Sequence, residues 1–161
     1  MDYLWTPWRY RYVTSADTSG EGSSCIFCGL LRSGDDAKTL IVHRGEHNFI
    51  VLNAYPYTCG HSMIVPYQHL DRLDKLPREA ANEMIDLAQR LETAFRDLYH
   101  PDGVNIGMNV GKAAGAGIAG HIHMHALPRW VADANFMSVI GETRVLPEDL
   151  ATTYERLKAK F

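Results

Sequence analysis

The stretch His121-Ile122-His123-Met124-His125 decides how this chain is read. Histidine alternates with an apolar residue over five positions, which is the period of a β-strand, where successive side chains point to opposite faces. On such a strand His121, His123 and His125 line one face, while Ile122 and Met124 enter a core on the other. Imidazoles are poor filler, because each ring nitrogen needs a partner once buried. A row of three therefore points to metal binding, nucleophilic chemistry or both, ahead of a merely polar outer face. Pro128 marks where the strand can no longer continue as a central member of a ladder.

Immediately upstream lies Gly111 to Gly120 (GKAAGAGIAG). Gly111, Gly115, Gly117 and Gly120 allow backbone geometry that other residues resist and expose N–H groups to an anion. The loop is not a P-loop, since Lys112 is not followed by Ser or Thr. By itself it suits a flexible hairpin; beside three histidines it becomes a candidate for contacting phosphate. Val104 to Val110 alternates as a strand before it. Further back, Thr39–Val42 and Asn48–Leu52 read as strands of a hairpin turning at Arg44-Gly45-Glu46, and His61–Val65 as a strand stopped by Pro66. From Pro77 to Tyr99 the apolar residues recur with helical period over about six turns. Asp133 to Met137 reads as a turn, and Pro147 to Phe161 as an amphipathic terminal helix. Hairpin-like strands around one long helix favour an α+β fold with an antiparallel sheet.

The 161 residues suit a single domain, 46% of them hydrophobic and 22% charged, as in a globular protein with its own core. A net charge of −3 argues against a surface that coats nucleic acid, and no apolar run approaches the length of a membrane span. The N-terminus lacks the basic and apolar regions of a signal peptide. With three cysteines, two in Cys25-x-x-Cys28 and Cys59 alone, a reducing, cytoplasmic setting is expected. Cys25 and Cys28 are compatible with a redox motif, half of a metal site or two buried thiols; no βαβ pattern supports the thioredoxin-like option. Tyr3, Trp5, Trp8, Tyr10 and Tyr12 with Arg9 and Arg11 are compatible with a nucleic-acid patch but are expected to form an aromatic arm that packs on the body or on a partner subunit. Ser15 to Ser24 reads as a flexible loop.

His121-Ile122-His123-Met124-His125-Ala126-Leu127 resembles the His-φ-His-φ-His-φ-φ signature (φ, hydrophobic) of the histidine triad superfamily. The similarity runs through Cys25-x-x-Cys28, Asn53, Gly60-His61, Val65-Pro66, the long helix, Asn109 and Leu127-Pro128-Arg129. Pro128-Arg129-Trp130 with Asp133-x-Asn135-Phe136-Met137 is similar to the branch of bacterial diadenosine tetraphosphate phosphorylases and fragile-histidine-triad-like proteins. The resemblance implies a single domain over 1–161: an antiparallel sheet of about five strands, one long helix, an arm and loop over 1–24 and a helical tail over 145–161.

It also implies an enzyme that cleaves the α-phosphate linkage of an adenine dinucleoside polyphosphate. His123 would be the nucleophile, forming a nucleotidyl-imidazole intermediate resolved by water or phosphate. Asn53 would bind ribose, while Asn109, the backbone of Ala116, Gly117, Ile118 and Ala119, and His125 would bind phosphate. Many relatives have a glutamine where this chain has Gly117, so that side-chain contact is absent here. By the same resemblance Cys25, Cys28, His69 and His121 would complete a Cys₂His₂ zinc site, a closed structural arrangement. His61 is expected to hydrogen-bond to the triad, His43, His47 and His100 to lie at the surface, and Cys59 to be small and buried. A homodimer joined through the sheets is expected, with no membrane and no nucleic-acid partner. The alternatives are a Hint-like nucleoside phosphoramidase and a zinc-stabilised nucleotide-binding module with little turnover.

Overall fold

The period-two segments pair as one five-stranded sheet of order β1-β2-β3-β5-β4, antiparallel at every junction. Its strands are β1 (Ile41–Arg44), β2 (Asn48–Leu52), β3 (Ser62–Pro66), β4 (Gly103–Met108) and β5 (Met124–Arg129). The computed structural model describes residues 25–131, 133–141, 143 and 146–161. The aromatic arm and flexible loop expected over 1–24 lie outside the described residues. The α+β architecture expected from the sequence is the one observed.

Helix α1 (Ile26–Arg32) and a single turn α2 (Asp36–Thr39) precede the sheet; α3 (Arg78–Tyr99) is the long helix, and α4 (Phe136–Val139) and α5 (Leu150–Lys158) follow it. Along α3, Ala80, Met84, Leu87, Ala88, Leu91, Ala94 and Phe95 are buried, an apolar stripe at helical spacing. The stripe packs on Val42, Ile50, Leu52, Ile64, Met124 and Ala126 of the sheet, and Tyr154 and Leu157 of α5 close that core. The opposite parity, with Ile41, Phe49, Val51, Met63 and Val65, forms a smaller core beneath Cys25 and Phe27. Covered on both faces, β2 and β3 are buried at every residue and read as continuous apolar runs rather than as alternation.

Several boundaries differ from expectation, each for a local reason. The Cys25-x-x-Cys28 segment lies in the first turn of α1, with Cys25 as its N-cap. Thr39 belongs to α2, whose start the Asp35 carboxylate caps by accepting from Lys38 N–H and whose end Leu40 makes at a left-handed φ of +61°; the strand starts at Ile41. Pro66 does not stop β3 short but is its last residue, opposite Asn48. β4 ends at Met108 rather than Val110, the turn at Asp133–Met137 becomes α4 capped by Asn135, and α5 starts at Leu150 behind the Asp149 cap. The histidine strand begins at Met124, not His121: before it, Ile122 N–H donates to Leu70 O outside the ladder. Pro128 stays within β5, but β3 has left it after Ala126 and only β4 remains alongside.

Candidate active site and metal centre

Alternation holds across the triad even though only part of it is strand. Ile122 is buried, Met124 and Ala126 face α3, and His123 and His125 share the other face with Phe27. The His123 and His125 rings lie 4.8 Å apart between centroids, edge to face. Opposite His125 stand Met63 on β3 and Gly107 on β4. Among the described residues nothing lies within 4 Å of where a Cβ of Gly107 would be, so the histidine face is open at this position.

Hydrogen bonds fix which ring nitrogens carry protons. His123 Nδ1 lies 2.9 Å from His121 O; a carbonyl only accepts, so Nδ1 holds the hydrogen and Nε2 keeps a lone pair. His61 Nδ1 accepts from Tyr57 N–H at 3.1 Å, so His61 Nε2–H donates to His125 Nδ1 at 3.0 Å. His125 is left with Nε2–H as its free donor. The two neighbouring imidazoles thus present one nucleophilic nitrogen and one hydrogen-bond donor. Burial pushes the pKa of His123 below that of an ordinary histidine, and burial followed by the nearby His123 pushes His125 down to about 4. Both are neutral near pH 7, the form in which imidazole is a nucleophile. Tyr57, 4.7 Å from the His61 ring and 6.4 Å from that of His125, and Phe27, 5.1 Å from His123, wall the pair.

Gly60 positions His61. Its φ of +80° is left-handed, and a Cβ there would meet Tyr99 at 3.1 Å and Pro128 at 3.2 Å, so both conformation and space require glycine. Asn53 sits beside this pair: its Oδ1 accepts from Tyr55 N–H at 2.9 Å and its Nδ2 is 3.4 Å from His61 Nδ1. Asn109 directly follows Met108, the residue paired with Met124, and so flanks the triad.

In the glycine loop, Gly111 and Gly115 have φ of +86° and +88° and fold residues 111–115 into a tight turn. Ala116 N–H, expected to face phosphate, donates instead to Gly111 O at 3.3 Å. The N–H groups of Gly117, Ile118 and Ala119 have no acceptor among the described residues. Ile118 packs against the small core that contains Phe27, which brings this run to the histidine face.

The four residues expected to bind metal also converge. Cys25, Cys28, His69 and His121 offer donor atoms all within 4.8 Å of one another. His121 Nδ1 is 3.4 Å from Cys25 Sγ and 3.8 Å from Cys28 Sγ, and His69 Nδ1 is 3.5 Å from Cys28 Sγ. Zinc–sulfur and zinc–nitrogen bonds of about 2.3 and 2.0–2.1 Å at tetrahedral angles put sulfur and nitrogen about 3.6 Å apart. His121 Nε2 lies 2.9 Å from Pro66 O and must donate to it, which leaves Nδ1 unprotonated toward the thiols. A carbonyl holding the remote nitrogen in this way is the usual outer support of a metal-bound histidine. The donor set and its spacing are compatible with zinc.

His61 is the triad neighbour the sequence anticipated and Cys59 is buried, as expected. His100 is exposed, whereas His43 and His47 are half-buried, His43 against Phe161 and Arg90. Sequence reasoning missed Phe27 and Tyr57 as walls of the site. The signal for Phe27 was its place inside Cys-x-x-Cys, whose two thiols converge with His69 and His121; nothing local marked Tyr57.

A family profile described as the HIT domain matches residues 35–131. Over its whole length the chain is 34% identical to a protein of Mycobacterium tuberculosis named AP-4-A phosphorylase, covering 85% of it. Among solved structures, a Zn-bound histidine triad family protein from Mycobacterium smegmatis superposes with a TM-score of 0.69 at 32% identity, over 85% of this chain and 92% of that one. A HIT family member from Bacillus subtilis gives 0.62 at 25% identity, over 86% and 98%.

Proposed function

The chain belongs to the HIT domain family, and on that premise we propose that it cleaves dinucleoside polyphosphates such as diadenosine tetraphosphate, passing an adenylyl group through His123 to inorganic phosphate. The observation that carries this reading is the paired tautomers: a lone pair on His123 Nε2 beside an N–H on His125 Nε2. The full-length similarity to a protein named AP-4-A phosphorylase supports the substrate class and phosphate as second nucleophile.

In the first step His123 Nε2 attacks the α-phosphorus. The N–P bond forms as the bridging P–O bond breaks, and ATP leaves with the electron pair. In the second, a phosphate oxygen attacks the same phosphorus, the N–P bond breaks, and ADP is released with His123 restored. Two easier displacements replace one difficult one. His125 Nε2–H and the free N–H groups of Gly117, Ile118 and Ala119 donate to the non-bridging oxygens as charge builds on them. Donors preset in this way are worth roughly 10²–10³ in rate each. Asn53 holds the ribose, and Asn109 joins the phosphate contacts.

Cys25, Cys28, His69 and His121 would hold a zinc ion, which supplies a closed structural clasp between the start of α1 and the triad segment. The similarity to a Zn-bound family member supports this assignment. No helix among the described residues is long and apolar enough to cross a membrane. A homodimer pairing β4 with β4 is in keeping with the exposed edge that Asn105, Ile106 and Gly107 form. Free thiols at Cys25 and Cys28 suit a reducing cytoplasm.

The test is to incubate the protein with diadenosine tetraphosphate, with and without phosphate, and separate the products. ADP plus ATP formed only with phosphate is expected. AMP plus ATP without phosphate makes it a hydrolase, and no turnover refutes the substrate class.

A further inference from the structure

Breaking a polyphosphate requires more than holding the phosphorus under attack, because the departing group carries most of the substrate's charge. His125 accepts at Nδ1 and is neutral, and the attack needs the Nε2 lone pair of His123, so neither imidazole supplies a fixed positive charge for it. Gly117, four residues before His121, offers no side chain to the phosphates. Between Asn109 and Pro128 the sequence contains a single lysine or arginine, Lys112. Arg129, next along the chain, is committed: its guanidinium grips both oxygens of Asp133 at 2.5 and 2.8 Å and Asn105 Oδ1 at 2.7 Å.

Lys112 is exposed and has no ion pair or hydrogen-bonded partner among the described residues. It starts the tight turn held by Gly115 N–H to Lys112 O at 2.9 Å, between left-handed Gly111 and Gly115. That turn departs from the end of β4, one strand away from the triad, where Gly107 faces His125 and Met108 faces Met124. It returns through the free N–H run and Ile118, which touches the core of Phe27 behind His123. The loop thus leaves from and returns to the surroundings of the histidine face, and Lys112 is the one cation in it.

Resting on the function proposed above, we propose that Lys112 selects polyphosphate leaving groups by pairing its ammonium with the phosphates beyond the one His123 attacks. The ammonium is a compact charge on a flexible stem and follows a moving chain of phosphates, rather than fixing one oxygen pair as a guanidinium does. Its contact strengthens as the bridging oxygen takes the electron pair and ATP departs. A leaving group without phosphates gains nothing from it.

The experiment compares two adenylyl donors, diadenosine tetraphosphate and the p-nitrophenyl ester of AMP, whose leaving group has no phosphate. The ratio of their kcat/KM values is measured in the native protein, K112A, K112E and K112R. The ratio is expected to fall about tenfold in K112A, as for loss of one charge-assisted contact, and further in K112E. K112R is expected to restore most of it. The salt dependence of kcat/KM for the tetraphosphate flattens in K112A and not for the ester. An unchanged ratio in K112A, or equal losses on both donors, overturns the proposal. If the native protein uses the ester through His123 but not the tetraphosphate, the parent reading has failed and this one with it.

Discussion

A backbone carbonyl decides the chemistry available to His123. Because His121 O must accept, His123 Nδ1 donates and Nε2 is free to attack. His123→Ala is expected to lower turnover at least about a thousandfold, with the melting temperature close to native. The relay from Tyr57 N–H through His61 to His125 acts at one remove. His61→Ala removes the donor that sets the His125 tautomer, and His61→Gln, which retains an N–H, is expected to recover part of the lost kcat. Since burial, then His123, drives His125 to about pH 4, its protonation does not limit activity near pH 6.5, where an ordinary histidine titrates. An acid limb near pH 6.5 in the kcat/KM profile that disappears in His125→Gln contradicts this assignment.

Elements earn their positions through contacts between distant parts of the chain. Glu83 on α3 receives hydrogen bonds from Glu46 N–H at 2.6 Å, His47 N–H at 2.8 Å and Asn48 Nδ2 at 2.7 Å, and so ties the β1–β2 turn to the long helix. Burial pushes the Glu83 carboxyl up, but the donors from Asn48, Glu46 and His47 outweigh it and leave the pKa below the usual value. A depressed folded-state pKa gives stability that is present above the unfolded carboxylate range near about 4.3 and lost as pH falls through the folded value. Glu83→Gln is expected to cost roughly 1–3 kcal/mol at pH 7 and to show a shallower loss of stability on acidification in denaturant titrations. At the other end Glu148 accepts from Tyr99, Thr153 and Arg156 and fastens α5 to α3. The strands and long helix were legible because their apolar period is local. The Glu83 clasp was not, because nothing in a glutamate on a helical wheel signals a hairpin 35 residues away along the chain. The early end of β4 and the late start of β5 escaped for a similar reason: the residues between them bond to Gly111 and Leu70 outside the ladder.

Across the molecule, one sheet divides labour between its faces. The α3 face holds the larger core, where Leu91 is fully buried and Leu91→Ala is expected to cost about 2–5 kcal/mol. The opposite face, with a smaller core, carries the triad, Phe27 and the four-donor cluster. Because that cluster joins residues up to 96 positions apart, metal removal by a chelator is expected to lower the melting temperature of the native protein. Cys25→Ser is expected to abolish stoichiometric zinc in metal analysis; a native protein without zinc contradicts the metal assignment. The four donors were visible in the sequence as a Cys-x-x-Cys and scattered histidines, but their convergence is a product of the whole fold. Trapping the adenylyl group on His123 is the decisive test of the proposed function. Protein mixed with diadenosine tetraphosphate in the absence of phosphate is quenched, digested and analysed by mass spectrometry. One AMP on the peptide containing His123, absent in His123→Ala and removed as ADP when phosphate is added, is the predicted result. An adenylyl group on another residue, or phosphate-dependent turnover with no adduct on His123, would contradict it.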